Sequence, residues 1–135
     1  MNIVDSSGWV EYLTKGPNST FFLPVIHDTE NLLIPAIVIY EVFKRVLIST
    51  DEESALQTVG VLSQGKEVEL NREIAVEAAL ISIGLKLSMA DSIILATARI
   101  NSATLWTQDA HFKGIEGVRY IAKKAKNNLP SSNAM

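Results

Sequence analysis

The sequence predicts an α/β domain with a central parallel sheet covered by helices on both faces. Two observations carry that expectation. Short apolar runs of strand length alternate with longer stretches whose apolar residues recur at helical spacing. Acidic residues stand just past two of the strand-like runs, Asp5 after Asn2–Val4 and Asp109 after Ala103–Thr107. In open parallel sheets, ligands bind outside the carboxyl ends of the strands, at a switch in strand order. The 135 residues suffice for one domain with a real core, and a hydrophobic content of 47% places the chain among globular proteins.

The elements follow in order. Asn2–Val4 reads as a short buried strand, and Ser6 or Ser7 can cap the helix that carries Trp9, Val10 and Leu13. Gly16-Pro17-Asn18 is a turn, with Asn18 as cap of a second helix through Phe21, Phe22, Val25 and Ile26. Pro24 weakens that helix unless it falls early. Leu32–Ile34 is a second strand ended by Pro35, and Ala36 to Ile48 is a long helix with a wide apolar face. Thr50 and Glu53 have the spacing of a capping box and start a helix to Leu62. Lys66–Leu70 alternates charged and apolar residues, as an edge strand does. Asn71 caps a helix over Ile74–Ile83 that Gly84 ends, and Ser88 caps another over Ala90–Ile100. The strand Ala103–Thr107, a turn at His111-Phe112 and a last strand Val118–Ala122 complete a domain over residues 1–123. Residues 124–135 are polar and are expected to be a disordered tail.

Charge and composition exclude several classes. Cysteine is absent, so there is no disulfide framework and no thiolate metal site. No apolar run reaches the roughly 18–20 residues of a membrane span, and the N-terminus lacks the basic region of a signal peptide. A cytoplasmic location with no membrane partner is expected. The net charge of −3 provides no global basic footprint for nucleic acid. Lys113, Arg119, Lys123, Lys124 and Lys126 nevertheless make the C-terminal end basic, either to meet phosphates or simply as a solvated run.

Four carboxylates organise the chain: Asp5, Glu41, Asp91 and Asp109. Each has a plainer reading alone. Asp5 can cap a helix, Glu41 can lie on a helix surface, Asp91 can complement a helix dipole, and Asp109 can be a turn residue. Together they converge on one predicted sheet edge, where like charges repel unless they bind protons, cations or metal. Lys44 and Arg45 flank Glu41, and nothing basic stands beside Asp5 or Asp91. An all-oxygen site selects a hard cation, Mg²⁺ or Mn²⁺, and such a metal suits phosphodiester cleavage. His27 and His111 are open to roles as ligands or a general base but read first as polar surface or loop residues, and Trp9 and Trp106 read as core. Ser6 and Ser7 lack the histidine context of a nucleophile.

These residues resemble the PIN domain family, in particular the small VapC-type toxins. The likeness rests on Ile3-Val4-Asp5-Ser6-Ser7, on Ile34-Pro35 to Tyr40-Glu41-Val42, on Asp91-Ser92-Ile93-Ile94-Leu95-Ala96, and on Thr107-Gln108-Asp109-Ala110-His111-Phe112. It departs from the family in Val42-Phe43-Lys44-Arg45 after the glutamate and in Ser102-Ala103 before the last motif. The resemblance implies a three-layer α/β/α sandwich and a Mg²⁺- or Mn²⁺-dependent endoribonuclease, the toxin of a toxin–antitoxin pair. It also implies a homodimer and a cognate antitoxin that reaches into the site. On this reading the catalytic residues are Asp5, Glu41, Asp91 and Asp109. Asp5 and Asp91 ligate metal directly, and Glu41 and Asp109 do so directly or through water. Ser6 and Thr107 support them from behind. The rival readings are a catalytically silent binding module on the same fold and a haloacid-dehalogenase-type phosphotransfer enzyme. The latter wants a second aspartate where Ser7 stands.

Overall fold

The structure, a computed structural model, describes residues 1–125. Five strands form one sheet in the order β3-β2-β1-β4-β5, with every pair parallel. They are β1 (Asn2–Val4), β2 (Leu32–Pro35), β3 (Lys66–Val68), β4 (Thr104–Thr107) and β5 (Val118–Tyr120). The chain runs outward from β1 through β2 to β3. It then crosses to the other side of β1 for β4 and β5, so the strand order switches between β1 and β4. Leu32 to Pro35 are all buried, as expected of a strand covered on both faces. The edge strand β3 keeps its charged residues exposed, and the edge at β5 is equally short.

Six helices cover the sheet: α1 (Ser6–Leu13), α2 (Ser19–His27), α3 (Ala36–Ser49), α4 (Glu52–Leu62), α5 (Arg72–Leu85) and α6 (Met89–Ile100). The core joins Ile3, Val4, Leu33, Ile34 and Leu105 of the strands to Trp9, Phe22, Val38, Leu62, Ile74, Ile94 and Leu95 of the helices. Helix α6 is the most enclosed, with every residue from Ser92 to Ala98 buried. Among the described residues no single helix is long and apolar enough to cross a membrane.

Several boundaries differ from the expectations. Asp5, not Ser6 or Ser7, caps α1 by accepting from the Gly8 amide. Asp51, not Thr50, caps α4, because the Thr50 hydroxyl is already donated to the Val46 carbonyl at the end of α3. Asn18 stands at the start of α2 without a capping bond; its Nδ2 donates to Gln108 Oε1 and the Ala122 carbonyl, and its Oδ1 has no partner among the described residues. Pro24 lies inside α2 rather than at its start. Gly84 does not end α5; the chain turns at Lys86, whose φ of 58° is left-handed, and this brings Leu87 back into the core. The last strand stops at Tyr120. Most of the expected tail, residues 126–135, lies outside the described residues.

Candidate active site

Each of the four predicted acids leaves a different element at the carboxyl edge of the sheet. Asp5 follows β1 and caps α1. Asp109 follows β4 and caps a 3-10 turn over Ala110–Phe112. Because Val4 pairs with Trp106, Asp5 lies beside Thr107, and the two acids flank the switch in strand order. Glu41 stands on the second turn of α3, which starts directly from β2. Asp91 lies in the first turn of α6, where the Ser88 hydroxyl accepts from its amide at 3.3 Å.

Asp5 is the most deeply held of the four, with 3% of its surface exposed. Its Oδ1 accepts from Ser7 Oγ at 2.8 Å and the Gly8 amide at 3.0 Å, and its Oδ2 accepts from Thr107 Oγ1 at 2.7 Å. Thr107 Oγ1 in turn accepts from the Asp109 amide at 2.9 Å, so one hydroxyl ties both strand ends together. Burial pushes the Asp5 carboxyl up to about 6. The hydrogen bonds from Thr107, Gly8 and Ser7 oppose that rise, and the Asp109 charge adds to it.

The other acids are more open. Burial also raises Asp91, reinforced by the charges of Asp109 and Glu41 and opposed by His111. Asp109 thus acts on both Asp5 and Asp91, and Glu41 acts on Asp91. Glu41 Oε1 accepts from Ser6 Oγ at 2.5 Å. Among the described residues no lysine or arginine pairs with any of the four acids; the nearby cationic candidate is an imidazole. His111 Nδ1 lies 3.0 Å from Asp109 Oδ1 and 3.8 Å from Asp91 Oδ2. His111, expected from the sequence to be a polar surface or loop residue, lies on the exposed 3-10 turn, and its nearness to two of the acids is a contact that expectation did not include. The Asp-x-His spacing at Asp109 and His111, on a turn just past a strand, was its only signal.

The donor set fits a divalent cation. One ligand atom from each of Asp91, Asp109 and His111 lies within 4.8 Å of the others. Carboxylate oxygens suit Mg²⁺ and Mn²⁺, and Mn²⁺ also accepts imidazole. Asp5 is not one of that trio, and both its oxygens accept hydrogen bonds. A carboxylate offers about four lone-pair sites, so three donors leave it capacity for a metal or a metal-bound water. Ser6 Oγ donates to Glu41, and Thr107 Oγ1 donates to Asp5.

No curated protein matches the sequence. A toxin–antitoxin complex from Klebsiella pneumoniae superposes with a TM-score of 0.76 at 23% identity, covering 88% of this chain and 96% of that one. VapBC2 from Rickettsia felis, bound to a DNA fragment from its promoter, gives a TM-score of 0.71 at 20% identity over 90% and 97%. The sarcin-ricin loop cleaving toxin VapC20 of Mycobacterium tuberculosis gives 0.69 at 10% identity over 86% and 95%. Identities this low establish a shared fold. The family model for the PIN domain matches residues 3–118, a span that contains all four acids and both supporting hydroxyls. This chain belongs to the PIN domain family.

Proposed function

We propose that this protein is a Mg²⁺- or Mn²⁺-dependent endoribonuclease, the VapC-type toxin of a toxin–antitoxin pair. The observation that carries the reading is the convergence of Asp5, Glu41, Asp91 and Asp109 from four elements, with no lysine or arginine paired to any of them among the described residues. A bound divalent ion activates water and stabilises charge on phosphate oxygens. The chain's own residues perform the holding. Asp91 and Asp109 present open carboxylates, with His111 beside both. Asp5 ties β1 to β4 through Thr107 and offers its remaining lone pairs to the same space. Glu41, held by Ser6, closes the side toward α3.

The likeness to toxin–antitoxin complexes supports a cognate antitoxin as partner. A guanidinium from that partner would pair bidentately with these carboxylates and displace metal or phosphate. A homodimer in the cytoplasm completes the proposal. The phosphotransfer alternative finds less support, because an Asp5 buried and bonded at both oxygens is a poor phosphate acceptor.

The test is RNA cleavage by purified protein with EDTA, Mg²⁺ or Mn²⁺, beside thermal melts in the same buffers. Cleavage should require metal. Millimolar Mn²⁺ should raise the melting temperature of the wild type more than that of an Asp5→Asn/Asp91→Asn double variant, by mass action on the folded state. Metal-dependent stabilisation without cleavage of any RNA would favour the silent binding module.

A further inference from the structure

The nuclease reading leaves open how an anionic strand is held beside an acidic cluster that repels it. Deepening that reading, and resting on it, we propose that Tyr40, Lys44 and Arg45 form a nucleotide subsite that grips the single-stranded RNA flanking the cleaved bond. An open groove of roughly 340 Å³ runs along α3 from the cluster, lined by Ser6, Ser7, Tyr40, Glu41, Lys44 and Arg45. Glu41 ends the acidic cluster. Lys44 and Arg45 follow it at i+3 and i+4, so they stand about one turn, or ~5.4 Å, further along the same face.

Helical spacing would let either cation pair with Glu41. Neither does. Glu41 takes its hydrogen bond from Ser6 instead, and neither Lys44 nor Arg45 forms an ion pair among the described residues. Two adjacent, exposed, unpaired cations on a chain of net charge −3 are a local anion-attracting spot at the mouth of the site. Tyr40 adds a second, independent feature. Tyr40 is 57% exposed, and Lys44 Nζ lies 5.6 Å from its ring centroid and 3.4 Å from its hydroxyl. Exposed aromatics beside backbone-tracking cations are what sequence-tolerant binding of single strands uses: phosphates meet the cations, and a base stacks on the ring. An acidic protein segment would satisfy the cations as well. The exposed ring, and the presence of Glu41 in the groove's wall, favour RNA.

The experiment measures binding of a short, labelled, single-stranded oligoribonucleotide by fluorescence anisotropy. An Asp91→Asn background keeps the RNA intact. In it, Lys44→Gln/Arg45→Gln should weaken binding about tenfold or more. It should also flatten the slope of log affinity against log salt by about 1.4, two phosphate contacts at roughly 0.7 each. Tyr40→Ala should weaken binding at least about fivefold with the salt slope unchanged, and Tyr40→Phe should restore it. Lys66→Gln/Arg72→Gln removes the same charge from the β3 edge and the start of α5, and should change affinity by less than about twofold. All these side chains are exposed, so unchanged melting temperatures will confirm folding. Equal losses in the two charge-matched pairs would overturn the subsite, while metal-dependent cleavage by the wild type would leave the nuclease reading standing. A parent protein that neither binds nor cleaves RNA overturns both. Unchanged RNA affinity with lost binding of a co-expressed partner protein assigns the groove to that partner and overturns the proposal.

Discussion

The two halves of the acidic site are built differently. On the β1 side Asp5 is buried, capped into a helix and bonded at both oxygens. On the α6 side Asp91 and Asp109 remain partly open, and their near neighbour is a histidine whose side chain is 75% exposed. The first half resists movement and carries its charge at a cost. The second can exchange ligands with solvent. A site that must hold a metal yet admit a substrate gains from both, because a fixed anchor sets the geometry and an open flank leaves coordination positions free. On the proposed function, the same carboxylate chemistry would serve architecture at one end and exchange at the other.

The comparison breaks most visibly at Asp91. On the open side Asp91→Asn should leave the fold intact, yet reduce RNA cleavage by more than about 100-fold, beyond the 10–100-fold typical of losing an outer-sphere partner. Steady-state cleavage beside a melting curve measures both. Near-wild-type turnover by a folded Asp91→Asn protein would contradict the role given to this half.

The pH response sharpens the comparison next. The folded Asp5 carboxyl titrates near 6, against 3.8 for the ordinary group, and Asp91 is raised in the same sense. Between those values the folded protein retains a proton that the unfolded chain has released. Stability in metal-free buffer should therefore fall as pH rises from about 4 to about 6, then level off. Asp5 alone contributes on the order of 3 kcal/mol. Urea melts across that range should show the slope in the wild type and a smaller one in Asp5→Asn. An equally steep fall in the variant would remove Asp5 as its source.

Thr107 probes the buried half directly. Thr107→Val keeps the shape but removes the donor to Asp5 Oδ2 and the acceptor of the Asp109 amide, both at a fully buried position. Leaving such groups unpaired costs about 1–3 kcal/mol each. A loss of roughly 2 kcal/mol by chemical denaturation is expected, and a change below about 0.5 kcal/mol would mean that the strand ends are tied elsewhere.

The smallest effect on stability is expected at His111. Its exposure implies that His111→Ala changes stability by less than about 0.5 kcal/mol. The Mn²⁺ concentration that half-saturates the melting shift should nevertheless rise, since one ligand atom of the trio is gone. An unchanged midpoint would leave His111 a bystander to Asp91 and Asp109.

Much of this site was legible from local pattern. Asp5 and Asp109 stand at the ends of apolar runs, Asp91 opens an apolar helix, and the alternation of short and long segments implied parallel crossovers. Helix caps were less legible, because neighbouring residues compete for the same amide. Asp51 prevailed over Thr50 only once the Thr50 hydroxyl had turned back to α3. The nearness of His111 to Asp91 was not legible, because only the packing of α6 brings Asp91 within 3.8 Å of it.

Periodicity and charge placement act within a few residues, so the sequence by itself determined the elements, their parallel sense and the acids at their ends. The neighbours of those acids were decided by strand order. Placing β4 beside β1 joins Asp5 to Thr107 across 102 residues, and docking α3 against α1 joins Ser6 to Glu41 across 35. Burial of Asp5, and with it the raised carboxyl, arises from the same assembly. Desolvation and hydrogen bonding depend on distance through space, and only the folded chain sets that distance.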